Sequence, residues 1–241
     1  MKRIRFSPLL FRRIHKWMGL ILGIQFVIWA LSGSVMALLD MEKVGGHSSS
    51  AADAPALHTT GYAPLASLAS TADVTGVTLR NLGSRPIYEV RSGAEVRLFD
   101  AETGAPVTID AAAARRIATQ ANDARITRAQ LLPEPNLESR DFSGPVWRID
   151  FADEENNSAY VSADTGRFLI MRGDTWRTWD FFWMLHNMDY LNRTSFNHPL
   201  IVFVAFGTLW ISGTGFYLLF KSFSRADFRW LRRRRRSAAR S

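Results

Sequence analysis

Three histidines stand where an imidazole can do more than titrate. His15 precedes an uncharged stretch, Trp17–Leu39; His198 precedes a second, Pro199–Phe220; and His186 lies a dozen residues before His198. Haem b is held by neutral imidazoles in an apolar slot and needs no thiolate. The chain contains no cysteine, which excludes thiolate-ligated metals and covalently attached haem. His15, His186 and His198 are therefore the candidate ligands of a haem b iron. His47 and His58 fall in a polar segment and read as solvated. No Ser/His/Asp set, HExxH or P-loop pattern is present, and the acidic run Asp153-Glu154-Glu155 falls in a hairpin loop, where carboxylates are ordinarily hydrated.

The elements that must carry these histidines follow from hydropathy. At 1.5 Å per residue, each uncharged stretch crosses the roughly 30 Å of a bilayer core. His15 and His198 would then lie at opposite membrane faces, too far apart to share one iron. An outer haem could use His186 with His198. An inner haem has only His15 in each chain, so a second ligand there calls for a homodimer. Small residues recur in both stretches, Gly19, Gly23 and Ser32-Gly33-Ser34 in the first and Ser212-Gly213-Thr214-Gly215 in the second. They allow a helix or a flat ligand to approach closely. The reading sets His15 level with Ser212–Gly215 and His198 level with Ser32–Ser34.

The 241 residues carry a net charge of +8, unevenly spread. Residues 1–16 hold six Lys/Arg and no acid; residues 221–241 hold nine and one acid, Asp227. The 15 basic residues between face 21 acids. Basic flanks stay on the cytoplasmic side, so both termini are expected in the cytoplasm of a bacterial cell and the middle outside its inner membrane. The arginine run Arg232–Arg236 abuts a span and reads as a topology anchor or a contact to anionic lipid, not as a nucleic-acid site. The first span reads as an uncleaved anchor because its apolar run is about twice that of a signal peptide.

Seven segments result: a cytoplasmic start (1–16), span 1 (17–39), a Gly/Ser/Ala/Pro-rich linker (40–63), a folded domain (64–174), an aromatic interfacial segment (175–197) suited to an amphipathic surface helix, span 2 (198–220) and a basic tail (221–241). The folded domain shows a weak internal repeat. Strand-like 87–91 and 95–99 precede the turn Asp100–Gly104, and 146–151 and 158–162 precede Ala163–Gly166. Each turn ends in a glycine suited to positive φ. With helices expected at 64–72 and 111–120, the latter capped by Asp110, and leading strands at 74–80 and 125–131, each half reads helix–strand–strand–strand. The fold class is α+β, two transmembrane helices flanking a tandem domain, with residues 133–145 an extra loop of the second copy.

That repeat unit, whose first copy closes in an Asp-Ala-x-Thr-Gly turn (100–104), resembles the PepSY domain. The run Arg13–Leu20 (RIHKWMGL) resembles the opening of PepSY-associated transmembrane proteins, and Leu185-His186 with the later Ser212–Leu218 resembles their second signature. The resemblance implies a periplasmic tandem PepSY-like domain. Larger four-span relatives include inner-membrane reductases of iron–siderophore complexes with b-type haems held by span histidines. The expectation is haem-mediated transmembrane electron transfer from an unidentified donor or partner membrane protein, supporting periplasmic reduction. The alternative is a membrane-anchored adaptor that binds a peptide, protease or other partner protein without redox chemistry.

Overall fold

The computed structural model describes residues 8–46, 56–58, 60–64, 74–93, 95–191, 193, 195 and 197–222. Chain packing separates two compact units, one formed by residues 1–38 with 180–241 and the other by 39–179.

The first unit is built on two long helices, α1 (Pro8–Leu38) and a last helix beginning at Pro199. Within them, Arg12–Leu38 and Pro199–Phe220 are long and apolar enough to cross a membrane. Helix α1 starts before Trp17, so residues 8–16 of the basic approach, expected to precede the span, belong to the same helix. The two helices are inside-out relative to a water-soluble pair. Phe203, Phe206 and Phe220 are more than two-thirds exposed, whereas Ser32 and Thr214 are buried. Such a distribution suits lipid, which covers apolar side chains and leaves polar groups to pair inward. Leu22 packs with Val204, and Gly207 admits Leu22, whose Cδ1 lies 3.0 Å from where a Cβ would stand.

The second unit begins with a short helix, α2 (Met41–Gly45), capped by Asp40. It contains two four-stranded antiparallel meanders: β1 (Gly76–Leu82), β2 (Arg85–Ser92), β3 (Glu95–Asp100) and β4 (Pro106–Val107); then β5 (Ile126–Leu132), β6 (Val146–Phe151), β7 (Ser158–Ser162) and β8 (Phe168–Arg172). Helix α3 (Ala111–Thr119) separates them, with the Asp110 side chain accepting from the Ala113 N–H as expected of an N-cap. The repeat is thus real, and its halves form two packed sheets. One core joins them: Ile87 and Leu98 from the first sheet, Ala114 and Ile117 from α3, Ile149, Val161 and Met171 from the second.

Two expectations are corrected. Each half carries a fourth strand after its glycine turn, because the chain leaving Gly104 or Gly166 at positive φ folds back antiparallel on the strand before it. Trp176 does not belong to an interfacial aromatic belt. It is buried, with the guanidinium of Arg172 4.2 Å and that of Arg140 5.5 Å from its ring centre. The helix expected at 64–72 falls almost wholly on residues outside those described.

One polar knot ties the halves of this unit together. The Glu89 carboxylate, fully buried, receives Arg80 Nε at 2.8 Å, Arg91 Nη2 at 2.7 Å and Arg167 Nη2 at 3.0 Å. Arg80 also donates to the Thr165 carbonyl in the second glycine turn. Burial alone would raise the acid's pKa, but hydrogen bonds from Arg91, Arg80 and Arg167 outweigh it and bring it to about 2.

Helix α4 (Asp174–Asn187) follows, its first turns belonging to the sheet unit and the rest to the helical unit, and α5 (Pro199–Ser222) completes the chain. Arg177 near its start holds Glu138 (Nε–Oε1 2.8 Å) and Asp174, and Glu138 accepts the hydroxyl of the buried Tyr160 at 2.7 Å. The loop 133–145 is thereby an ordered clamp on the first turn of α4.

Candidate functional site: two histidines on hydroxyl anchors

The two long helices run antiparallel, and each presents one inward hydroxyl to a histidine. Near the start of α1, His15 Nδ1 lies 2.7 Å from Thr214 Oγ1 on α5. Toward the end of α1, Ser32 Oγ lies 3.1 Å from His186 Nδ1 near the end of α4. Both hydroxyls already direct their single proton into their own helix. Ser32 donates to the Ile28 carbonyl at 2.6 Å, and Thr214 to the Trp210 and Ile211 carbonyls at 2.9 and 3.0 Å. A hydroxyl oxygen so engaged can only accept from the ring. The network therefore assigns the proton to Nδ1 in both histidines and leaves Nε2 with its lone pair.

Both imidazoles are half-buried. Among the described residues neither Nε2 forms a hydrogen bond. Nδ1–H held by an oxygen and Nε2 left open is the arrangement by which a protein orients a metal-ligating imidazole. Gly33 makes room for the second ring: a Cβ there would stand 3.4 Å from His186 Cε1. About 17 residues of α1 separate the two anchors, roughly 25 Å along the axis, so these are two sites rather than one.

His198 is placed otherwise. The expected level with Ser32–Ser34 is occupied by His186, and His198 Nε2 lies 2.8 Å from the Asn187 carbonyl. A carbonyl can only accept, so His198 carries a proton on Nε2 and presents Nδ1, the opposite nitrogen from that left open in His15 and His186. The same helix end receives Trp29, whose indole N–H donates to the His186 carbonyl at 2.6 Å. The last carbonyls of α4, which no intrahelical N–H can reach, are thus taken by an indole from α1 and an imidazole at the threshold of α5. Met188 follows, buried and left-handed at φ 57°. The Arg193 ion pair with buried Asp180, at 2.7 Å, braces the connector beyond it.

The donor chemistry fits haem through the open Nε2 of His15 and of His186, whereas at His198 Nε2 is engaged with Asn187 and Nδ1 is the nitrogen left open. Sequence reasoning missed Ser32 and Thr214 as partners, treating them only as small residues, and missed Trp29. Ser32-Gly33-Ser34 of the first stretch is echoed by Ser212-Gly213-Thr214 of the second, which pointed to the right neighbourhoods, yet this echo pairs Thr214 with Ser34, not with Ser32. Three other helix glycines in contact range of nothing, Gly19, Gly23 and Gly213, show no atom within 4 Å of an added Cβ, and neither does Gly215. Gly19 and Gly23, four residues apart, leave a bare strip on α1, whereas Gly213 and Gly215 open on different sides of α5. Among the described residues no cluster of three or more His, Cys, Asp or Glu is placed to hold a metal ion. The acids of the hairpin loop serve structure: Asp153 accepts from Asn157 and Asn122, and Glu155 pairs with Lys43 and caps Thr175.

Two lipid-suited helices that flank a double-meander domain in sequence, with histidines at the helix seams, define a class of small membrane protein. The chain matches the family described as PepSY-associated TM region over residues 12–241, and it belongs to that family. No curated protein and no solved structure matches it significantly.

Proposed function

We propose that this membrane protein binds haem b at His15 and at His186 and carries electrons across a bacterial inner membrane, supporting reduction of an acceptor such as a ferric chelate outside the cell membrane. The observation that carries this reading is the matched pair of histidines, each with Nδ1–H held by a hydroxyl and Nε2 open. Haem b, when bound, supplies one-electron chemistry at iron. The chain supplies the rest. Ser32 and Thr214 fix the ring orientation and tautomer. Trp29 and His198 hold the end of α4 so that His186 keeps its position at Gly33. The lipid-facing phenylalanines keep the seam dry, and the basic flanks set both termini in the cytoplasm with residues 40–197 outside.

His198 acts in this scheme as a positioning residue, and each site then has one ligand per chain. A symmetric dimer about the membrane normal would bring two His15 to one level and two His186 to another, completing both sites by one operation. The bare strip Gly19 and Gly23 on α1 leaves room for such an approach.

The test uses haem-loaded full-length protein in liposomes, with a ferric chelate inside and a membrane-impermeant reductant outside. Trapped iron should be reduced at a rate proportional to haem-loaded protein. A rate equal to that of protein-free liposomes would contradict the electron-transfer reading.

A further inference from the structure

The turn joining β1 to β2 and the exposed side of α3 enclose a cavity of about 400 Å³ in the sheet unit. Its apolar wall is made by Leu82, Val107 and Ile117, and its rim carries Arg85, Arg116 and Gln120. The acids that line it are turned to local work. Asp100 accepts from the Glu102 and Thr103 N–H groups and the Thr103 hydroxyl, and Asp110 caps α3. Arg85 shares Asp100 at 3.2 Å and is otherwise exposed. Arg116 differs from Arg80, Arg91 and Arg167, which share Glu89: among the described residues its guanidinium has no ion-pair or hydrogen-bond partner. Gln120 stands one turn further along the same face, and its side chain also forms no hydrogen bond among the described residues.

The geometry points to a binding site for a carboxylate borne on a short apolar body. The carboxylate meets the planar guanidinium of Arg116, which suits it in a paired geometry, with the Gln120 amide as a second donor. The apolar body rests on Leu82, Val107 and Ile117. Residues 105–108 line the cavity, and they include β4, the edge strand of its sheet. An extended peptide C-terminus could lie along that edge, and a free organic acid could enter alone. The shared chemistry is the same, and the site is independent of the haem reading.

Titration calorimetry on the full-length protein in detergent tests this with three probes: N-acetyl-Leu-Leu as the free acid, the same dipeptide as its C-terminal amide, and hexanoate. The free acid should bind saturably, in roughly the millimolar range or tighter, and the amide at least about tenfold more weakly. R116Q should weaken the acid by about tenfold as well, Q120L by less, and R115Q, on the same helix but outside the lining, not at all. All three sites are exposed on α3, and an unchanged far-ultraviolet spectrum verifies folding. Binding of the dipeptide acid without hexanoate supports a peptide C-terminus; binding of hexanoate supports a free acid. No saturable binding of either acid, equal binding of acid and amide, or R116Q binding like the unaltered protein would overturn the proposal.

Discussion

Ser32 and His186 are 154 positions apart in the chain and meet at 3.1 Å, the hydroxyl accepting because its own proton is already given to the Ile28 carbonyl. His15 and Thr214 repeat the relationship at the other end of the same helix pair. Two imidazoles are thereby fixed in one tautomer by one device, although the residues that build it are not equivalent in the internal echo of the sequence.

Removing the anchor should loosen the ligand without unfolding the helix. S32A and T214V each release an Nδ1–H while leaving the helix's own backbone bonds intact. Haem affinity at the affected site should fall by about 10- to 100-fold, the usual effect of losing such a partner. Transfer of haem to apomyoglobin measures it, and S32T should restore much of the loss. Unchanged transfer rates in both variants would show that the hydroxyls orient nothing.

The glycine turns give a second expectation. Gly104 and Gly166 have φ of 75° and 66°, as the acidic-Thr-Gly pattern anticipated. G104V should cost about 1–3 kcal/mol from backbone strain. G166V should cost more, because a Cβ there would stand 2.7 Å from Leu82 Cδ1 and 2.8 Å from Ile109 Cδ1. Urea unfolding of the full-length protein, followed by tryptophan fluorescence, ranks the two; equal losses would contradict the packing described.

Strand periodicity and turn chemistry are local, so 146–151, 158–162 and the Asp110-capped helix could be read directly from the residues. The spans were legible for the same reason, since charge exclusion from lipid is written residue by residue. What was not legible depends on distant pairing. Trp176 looks like an interfacial aromatic by composition, and only the fold brings Arg140 of the loop 133–145 and Arg172 of β8 over its ring. His198 sits at a span threshold like a ligand, and only the end of α4 shows where its Nε2 proton goes. Glu89 lies in a segment read only as strand-like, and its partner Arg167 arrives from the other half, 78 positions later.

Glu89 contributes to the acid stability of the sheet unit, alongside Asp100, Asp153, Glu155 and Asp174, whose carboxyls are also held below their ordinary range. The folded pKa of Glu89, about 2, lies below the ordinary glutamate value, so its contribution is fully present above about pH 4.5 and is lost as pH falls toward 2. That contribution is about 3 kcal/mol. Urea midpoints of the unaltered protein should drop between pH 5 and 2, and E89Q should be less stable at neutral pH and flatter over that window. An E89Q curve parallel to the original would remove Glu89 from the acid transition.

Topology is tested by reporter fusions after Arg240 and within residues 47–58. The charge distribution predicts opposite compartments, cytoplasmic for the first and external for the second. The same compartment for both would overturn the two-span arrangement.

The most direct measurement is haem per chain in protein produced with ample haem, read from the reduced-minus-oxidised spectrum of the original and four variants. The original should be red, H15A and H186A should each retain roughly half the haem, and the double variant should retain essentially none. H198A should keep its haem at purification and lose it faster to apomyoglobin. A colourless original protein, or a double variant with undiminished haem, would contradict the assignment of His15 and His186 as ligands.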